Sequence, residues 1–383
     1  AQPRERTVDD IRRRVARALA APESEGQRER WRKAFLLAMR RGFIPAGRIN
    51  AGAGTTRDVT LINCFVQPIA ARRSGRDEHG RPGVEPALRE IARTLRAGGG
   101  VGINVSALPG ATQAGTAAEL DPVSVILRME SNGRRLAAVG ARRAAQMVLI
   151  DITHPDAAAV IDLKRHHALQ TLTLSVCVSD SFMQALEGQS DCAPNTCGPQ
   201  AKQLWERLLA AALDTGNPGL VFIDQVNRAN NLSAIESLDA CNPCAEQFLP
   251  DYGACDLGSI NLTRFVRNPF SRRAQLDFIA LAEVADVAVR ALDNVIDLTR
   301  WPLERQAREA RLTRRIGLGI TGLADTLIML GLRYDRQAGR QCASAMLRAI
   351  RNAAYRASVA LAIERGPFPV CNPIDVLRPP HTA

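Results

Sequence analysis

The 383-residue sequence contains no run of about 18 uncharged apolar residues, which leaves no segment suited to span a membrane as a helix. Its opening, AQPRERTVDDIRRR, is charged where a secretory leader needs an apolar centre, so the expectation is a soluble, cytoplasmic chain. Lysine is nearly absent: Lys33, Lys164 and Lys202 are three of 50 basic side chains, set against 39 acidic ones. The resulting net charge of +11 could advertise a polyanion, but the arginines are scattered and such a skew more often reflects coding bias, so no direct nucleic-acid binding is expected. Arg134, Arg135, Arg142 and Arg143 form a small cluster whose two readings are phosphate contact and, more simply, a solvated charged face. An even cysteine count is also missing. Nine cysteines without an export signal argue against a disulfide framework, and Cys177 and Cys342 read as small core residues.

No repeat of 20 to 50 residues stands out, and no low-complexity linker divides the chain after residue 60. The 46% apolar content suits a large core and two or three domains' worth of structure. Residues 7 to 21 read as a helix capped by Thr7, with Asp10 three residues on, and a second helix runs from about Gln27 to a stop at Gly42. A strand-like segment ends near Cys64, and further apolar or alternating runs stand at 146–154, 171–179 and 219–226. Helices are expected near 201–214, 276–299 and 338–365, which makes the architecture α/β. The stretch from about Arg72 to Pro86 reads as an exposed excursion.

Several motifs invite a function and then withdraw it. GLGITG at 317–322 matches a dinucleotide fingerprint, but the charged ARLTRRI before it and the early Asp335 after it favour close backbone packing at a helix start. GGGVG at 98–102 follows a helix, so it is no Rossmann turn, although its bare backbone suits close approach by a ligand. Cys192-x4-Cys197 with Cys241-x2-Cys244 could hold zinc, yet over 40 residues separate the pairs and neither Glu246 nor Cys255 gains a role. The histidines offer no ligand spacing; the adjacent His166 and His167 would point apart in a strand. In ACNPCAEQFLPDYGACDLGSINL, residues 240–262, Asn242, Cys244 and Glu246 stand at i, i+2 and i+4, and Pro243 disfavours a helix. In an extended segment they would place an amide, a thiol and a carboxylate on one side. Such a trio can hydrogen-bond a polyol, take a hydroxyl proton and supply sulfur chemistry.

NPCAEQ followed by CDLGSINL resembles the active-site loop of the ribonucleotide reductase catalytic chain, above all its class II, adenosylcobalamin-dependent type. FIPAGRINAGAGT, VTLINCFV, GGGVGINVS, ARRAAQM, LTLSVCVSDSFM, GLVFIDQVNR, RRIGLGITGLADTL and AAYRASVALAIERGPFP resemble the same family in the same order. The resemblance implies a ten-stranded α/β barrel, here incomplete, over residues 63–383, preceded by a helical module over 1–62. It implies Cys244 as the thiyl radical, Glu246 as general base, Asn242 as partner of the substrate hydroxyls, and Cys64 with Cys255 as the redox pair. Asn63, Cys64, Gly100, Asn242, Pro243, Cys244, Ala245 and Glu246 fall where the family holds its ribonucleoside di- or triphosphate. The implied cofactor is adenosylcobalamin, with no protein-bound metal, and the implied reductant is a thioredoxin-like or other dithiol. N-P-C rather than N-L-C favours this type over the class that draws its radical from a diiron partner, although no D-x-H-x-x-G cobalamin motif is present.

Ala245 stands where the family usually has glycine, and Asp256 where it usually has asparagine. Positions that hold the allosteric nucleotide in relatives are not apparent between about 67 and 140. The sequence stops before the P-T-G-T-I-S-like phosphate loop and any C-terminal cysteine pair. The expectation is therefore either a piece of a longer or split enzyme, completed by a C-terminal chain or a homodimer, or a non-catalytic nucleotide-binding relative; a cysteine-ligated zinc module ranks third.

Overall fold

The computed structural model describes residues 5–111, 120–139, 144–166, 168–187 and 198–372. Its elements begin with α1 (Val8–Leu19), α2 (Glu25–Arg41), β1 (Phe43–Pro45), α3 (Gly47–Gly52), β2 (Cys64–Val66), α4 (Val84–Arg96), β3 (Gly100–Asn104) and α5 (Pro122–Val139). There follow β4 (Gln146–Asp151), α6 (Ala157–Arg165), β5 (Leu172–Val178), α7 (Asp180–Leu186), α8 (Gly198–Thr215), β6 (Gly219–Phe222) and α9 (Ile223–Arg228). The remainder is β7 (Ala240–Cys241), β8 (Phe248–Leu249), β9 (Ala254–Cys255), β10 (Leu257–Asn261), β11 (Val266–Arg267), β12 (Gln275–Leu276), α10 (Phe278–Leu298), α11 (Glu304–Thr313), β13 (Gly317–Thr321), α12 (Leu323–Met329) and α13 (Gln337–Arg365). None of the described helices is long and apolar enough to cross a membrane. The described residues divide into two compact units: one comprises residues in the ranges 64–254 and 302–309, the other residues 5–63, 255–301 and 310–371.

The first unit is built on a sheet ordered β6-β5-β4-β3-β2-β9, in which β2 to β6 pair in parallel. Alternation splits the side chains of the central strands between two covered faces, which is why they read as apolar runs. Val148, Ile150, Leu174 and Val176 pack into the larger core, with Leu88 and Ile91 of α4, Ile126 and Met129 of α5, and Leu208 of α8. On the other face Met147, Leu149, Cys177 and Val221 meet Cys241. The run at 219–226 is not one strand. β5 offers partners only from Ser175 to Val178, so β6 ends at Phe222 and the chain closes into α9.

The second unit places α1, α2, α10 and α13 together with a sheet ordered β1-β10-β13. Thr7 caps α1 as expected: its hydroxyl accepts from the Asp10 amide, and Asp10 accepts in return from the Thr7 amide at 3.0 Å. GLGITG supplies strand β13 and then Gly322, whose left-handed φ of 73° starts α12. A buried ion lattice ties the helices. Glu23 accepts from Arg290 at 2.7 Å, Asn294 at 2.7 Å and Arg365 at 2.8 Å, and the Arg290 guanidinium lies 4.1 Å over the Trp31 ring.

Candidate active site

The stretch around Cys244 is a hairpin rather than an extended strand. Ala240 pairs with Leu249 and Cys241 with Phe248, and residues 242–247 form the tip. The Asn242 amide donates to the Gln247 carbonyl at 2.9 Å, and the Ala245 amide donates to the Asn242 carbonyl at 3.0 Å. Closing this turn requires a left-handed residue, and Ala245 supplies it with φ of 66°. Glycine takes that conformation without strain, which explains the residue usual at this position in the family that the sequence resembles.

The turn replaces the extended segment that the expectation assumed. Asn242 is wholly buried, whereas Cys244 and Glu246 are exposed at the tip. The Asn242 Oδ1 accepts from the Gln247 amide at 3.1 Å, which fixes the orientation of the amide group. Its Nδ2 then remains a buried donor with no partner among the described residues. A free donor of this kind costs stability unless something else receives it.

The two glycines of β3 explain how the hairpin lies against the sheet. A Cβ on Gly102 would sit 1.7 Å from the Cys241 carbonyl oxygen, and one on Gly100 would sit 2.9 Å from Cγ of Pro243. The bare backbone of GGGVG is thus approached closely, but by the chain's own hairpin. Gly100 is also the strand partner of Cys64. Cys64 is buried, and it is a close enough neighbour of Cys244 to help raise that thiol above its ordinary value. Cys64, Gly100, Asn242, Pro243, Cys244, Ala245 and Glu246 are therefore gathered in one unit. The other two candidates, Asn63 and Cys255, belong to the second unit, where Asn63 is half-buried and Cys255 is buried.

The thiols are held in their protonated form. Desolvation, then the neighbouring Cys64 and Glu246, raise the Cys244 thiol above its ordinary value despite its exposed position. Burial, then Glu246 and Cys244, push Cys241 up to about 12, and burial likewise raises Cys177. Such groups carry an S–H bond at neutral pH and are poor thiolate nucleophiles.

Among the described residues no group of three or more His, Cys, Asp or Glu is placed to hold a metal. Cys192, Cys197, Arg142, Arg143 and His167 lie outside the described residues. Arg134 pairs with Glu130 at 2.7 Å and Arg135 donates to Asn132 at 2.5 Å, so both have protein partners. His166 caps the end of α6 and lies in no strand. Cys177 is a core residue as read, whereas Cys342 is only half-buried. What the sequence did not disclose is the role of Gly102. Its signal was available in the i, i+2 spacing with Gly100, which puts two bare positions on one face of a strand.

A family model described as ribonucleotide reductase, barrel domain, matches residues 62–194 and 193–375. A second, described as ribonucleotide reductase, all-alpha domain, matches residues 1–58. The chain belongs to the ribonucleotide reductase family. It is 36% identical over 381 residues to a vitamin B12-dependent ribonucleoside-diphosphate reductase of Mycobacterium tuberculosis, covering 95% of this chain and 53% of that protein. A protein of the same name from Thermoplasma acidophilum is 32% identical over 344 residues, covering 85% of this chain and 42% of its own length. The ribonucleoside-diphosphate reductase large chain of Neurospora crassa is 27% identical over 382 residues, covering 89% of this chain and 40% of its own length. The chain thus spans about half the length of these relatives. Its six-stranded sheet is correspondingly an incomplete part of the family's barrel.

Proposed function

We propose that this chain carries the thiyl-radical site of an adenosylcobalamin-dependent ribonucleotide reductase and converts ribonucleoside di- or triphosphates to deoxyribonucleotides once the rest of the barrel is supplied. The observation that carries the reading is that Gly100 and Gly102 let the hairpin bearing Cys244 lie against β3, where Gly100 is the strand partner of Cys64. Bound adenosylcobalamin would supply the radical-initiating chemistry, and Cys244 would be the residue that gives up its thiol hydrogen atom to it. An accessible, protonated sulfur fits that demand, since a thiolate has no hydrogen atom to lose.

The remaining steps fall to side chains of this chain. The Cys244 sulfur takes the 3′-hydrogen of the ribose and later returns it. Glu246 removes the 3′-hydroxyl proton, and the unpartnered Nδ2 of Asn242 donates to the sugar hydroxyls. The 2′-oxygen departs as water, using a proton from the redox pair. Cys64 and Cys255 together give up two electrons and two protons, and their sulfurs join as a disulfide. An outside dithiol, thioredoxin-like or small, resets the pair by exchange.

The completing half would cover an open flank of the second unit. There β13 is an outer strand of its sheet, and a groove of about 1190 Å³ is lined by Ile316, Leu318, Ile320, Leu347 and Tyr355. Anaerobic turnover with adenosylcobalamin, a ribonucleotide and dithiothreitol tests the proposal, run with and without a separately produced C-terminal half. Deoxyribonucleotide is expected in the complemented reaction. Nucleotide affinity with no product in either reaction would favour a non-catalytic relative, the reading that the half-length match also allows.

A further inference from the structure

The segment between β2 and α4, expected as an exposed excursion, is exposed over residues 71–75, 78 and 79 and is folded into a strap. Arg76 bridges Pro82, the Ala70 amide donates to the Pro82 carbonyl at 2.8 Å, and the Gly83 amide donates to the Gly75 carbonyl at 2.9 Å. Its turn is closed by the Asp77 carboxylate, which accepts from the Arg81 amide at 2.7 Å. The strap therefore has a shape of its own and presents two arginines in fixed places.

Both arginines reach the feet of the Cys244 hairpin. Arg81 Nε donates to Asp251 at 2.7 Å, just after β8, and its Nη2 lies 3.6 Å from Asp239, just before β7. One guanidinium thus spans the entry and the exit of the hairpin. Arg76 donates to the Tyr252 hydroxyl at 2.7 Å and pairs with Glu90, whose other oxygen accepts from Tyr252 at 3.1 Å. Tyr252 is buried with a left-handed φ of 64°, and the next residue offers its carbonyl to the Val66 amide at 2.9 Å. The chain leaving the hairpin is in this way tied to β2, the strand that begins with Cys64.

We propose that Arg81, supported by Arg76, is a positioning residue that sets the Cys244 hairpin in register with Cys64 by clamping both its feet. The hairpin itself has only two paired residues on each side, too few to hold its tip to the fraction of an ångström that sulfur chemistry demands. What the hairpin is positioned for rests on the proposed function; the clamp does not.

The test reads geometry without turnover. In a Cys255→Ser background, which removes the proposed redox partner of Cys64, diamide oxidises the full chain anaerobically, and peptide mapping by mass spectrometry follows the Cys64–Cys244 disulfide. Arg81→Ala is expected to slow this cross-link roughly fivefold, the size of two partly exposed ion contacts. Arg81→Lys, which reaches one foot at a time, should fall between, and Arg89→Ala, removing an exposed charge from α4, should leave the rate unchanged. If Arg81→Ala does not fold, Asp251→Asn breaks the same contact with little change of shape and should slow the reaction likewise. A folded Arg81→Ala or Asp251→Asn chain that cross-links at the parent rate would overturn the proposal, as would an equal slowing by Arg89→Ala. A chain without reductase activity in the complemented assay would leave this readout intact, so the two readings fail separately.

Discussion

Two polar assemblies in this molecule are built to opposite rules. Around Arg290 in the helical unit, Glu23, Glu364, Asn294 and Arg365 engage one another, and Arg314 adds contacts to Asp293 at 2.7 Å and Asp297 at 2.9 Å. Around Cys244, a wholly buried asparagine keeps a donor without a partner among the described residues, and a thiol stands exposed at the end of a short hairpin. A satisfied lattice holds helices together and offers a ligand nothing; an unsatisfied donor beside a protonated thiol spends stability to stay available. Asp256 interrupts the contrast. It is buried in the helical unit, yet neither carboxyl oxygen has a hydrogen-bond partner among the described residues.

The contrast can be broken at four places. Arg290→Met should cost the most, about 3–5 kcal/mol in denaturant unfolding, because Glu23 is left as a buried charge short of its main partner; a loss below about 1 kcal/mol would show that the lattice is not structural. Gly102→Ala should cost about 1–3 kcal/mol and raise the alkylation rate of Cys244, since the new Cβ must push the Cys241 carbonyl away. An unchanged rate would mean that β3 does not set the hairpin. Asp256→Asn should stabilise the protein by about 1–2 kcal/mol at pH 7. Burial, reinforced by Asp293 and opposed by Arg314, pushes the Asp256 carboxyl well above its ordinary range, so the folded state holds the proton more tightly than the unfolded chain. Stability is therefore lost as pH rises from the ordinary carboxylate range toward that raised value, and the gain from asparagine should fade in acid. Thermal unfolding from pH 4 to 8 checks the slope. The smallest effect belongs to Ala245→Gly, a gain of at most about 1 kcal/mol from relief of the left-handed turn, visible in calorimetry.

What was legible in the sequence was local. Thr7 with Asp10 announced α1, Gly42 with φ of 130° ended α2, and the alternation in TLTLSVCVS gave β5. The candidate residues were named because their types suit the chemistry and their order resembled a family. Their geometry was not legible. Pro243 argued correctly against a helix, but the turn depends on the backbone of Ala245 and on a missing side chain at Gly102 in another strand. The strap was legible as an exposed segment, but its shape was not: Arg76 and Arg81 meet Tyr252 and Asp251, which lie 176 and 170 residues further on. Sequence periodicity reports which face a residue takes, not which distant backbone closes on it.

The account stands on the sulfur of Cys244 as the reacting atom. Its most direct test is the replacement Cys244→Ser, assayed in the complemented anaerobic reaction with ribonucleotide tritiated at the 3′-position. The parent chain should form deoxyribonucleotide, and the variant should form none while binding the nucleotide and melting as the parent does. Deoxyribonucleotide production by the serine variant at a rate near that of the parent would contradict the account.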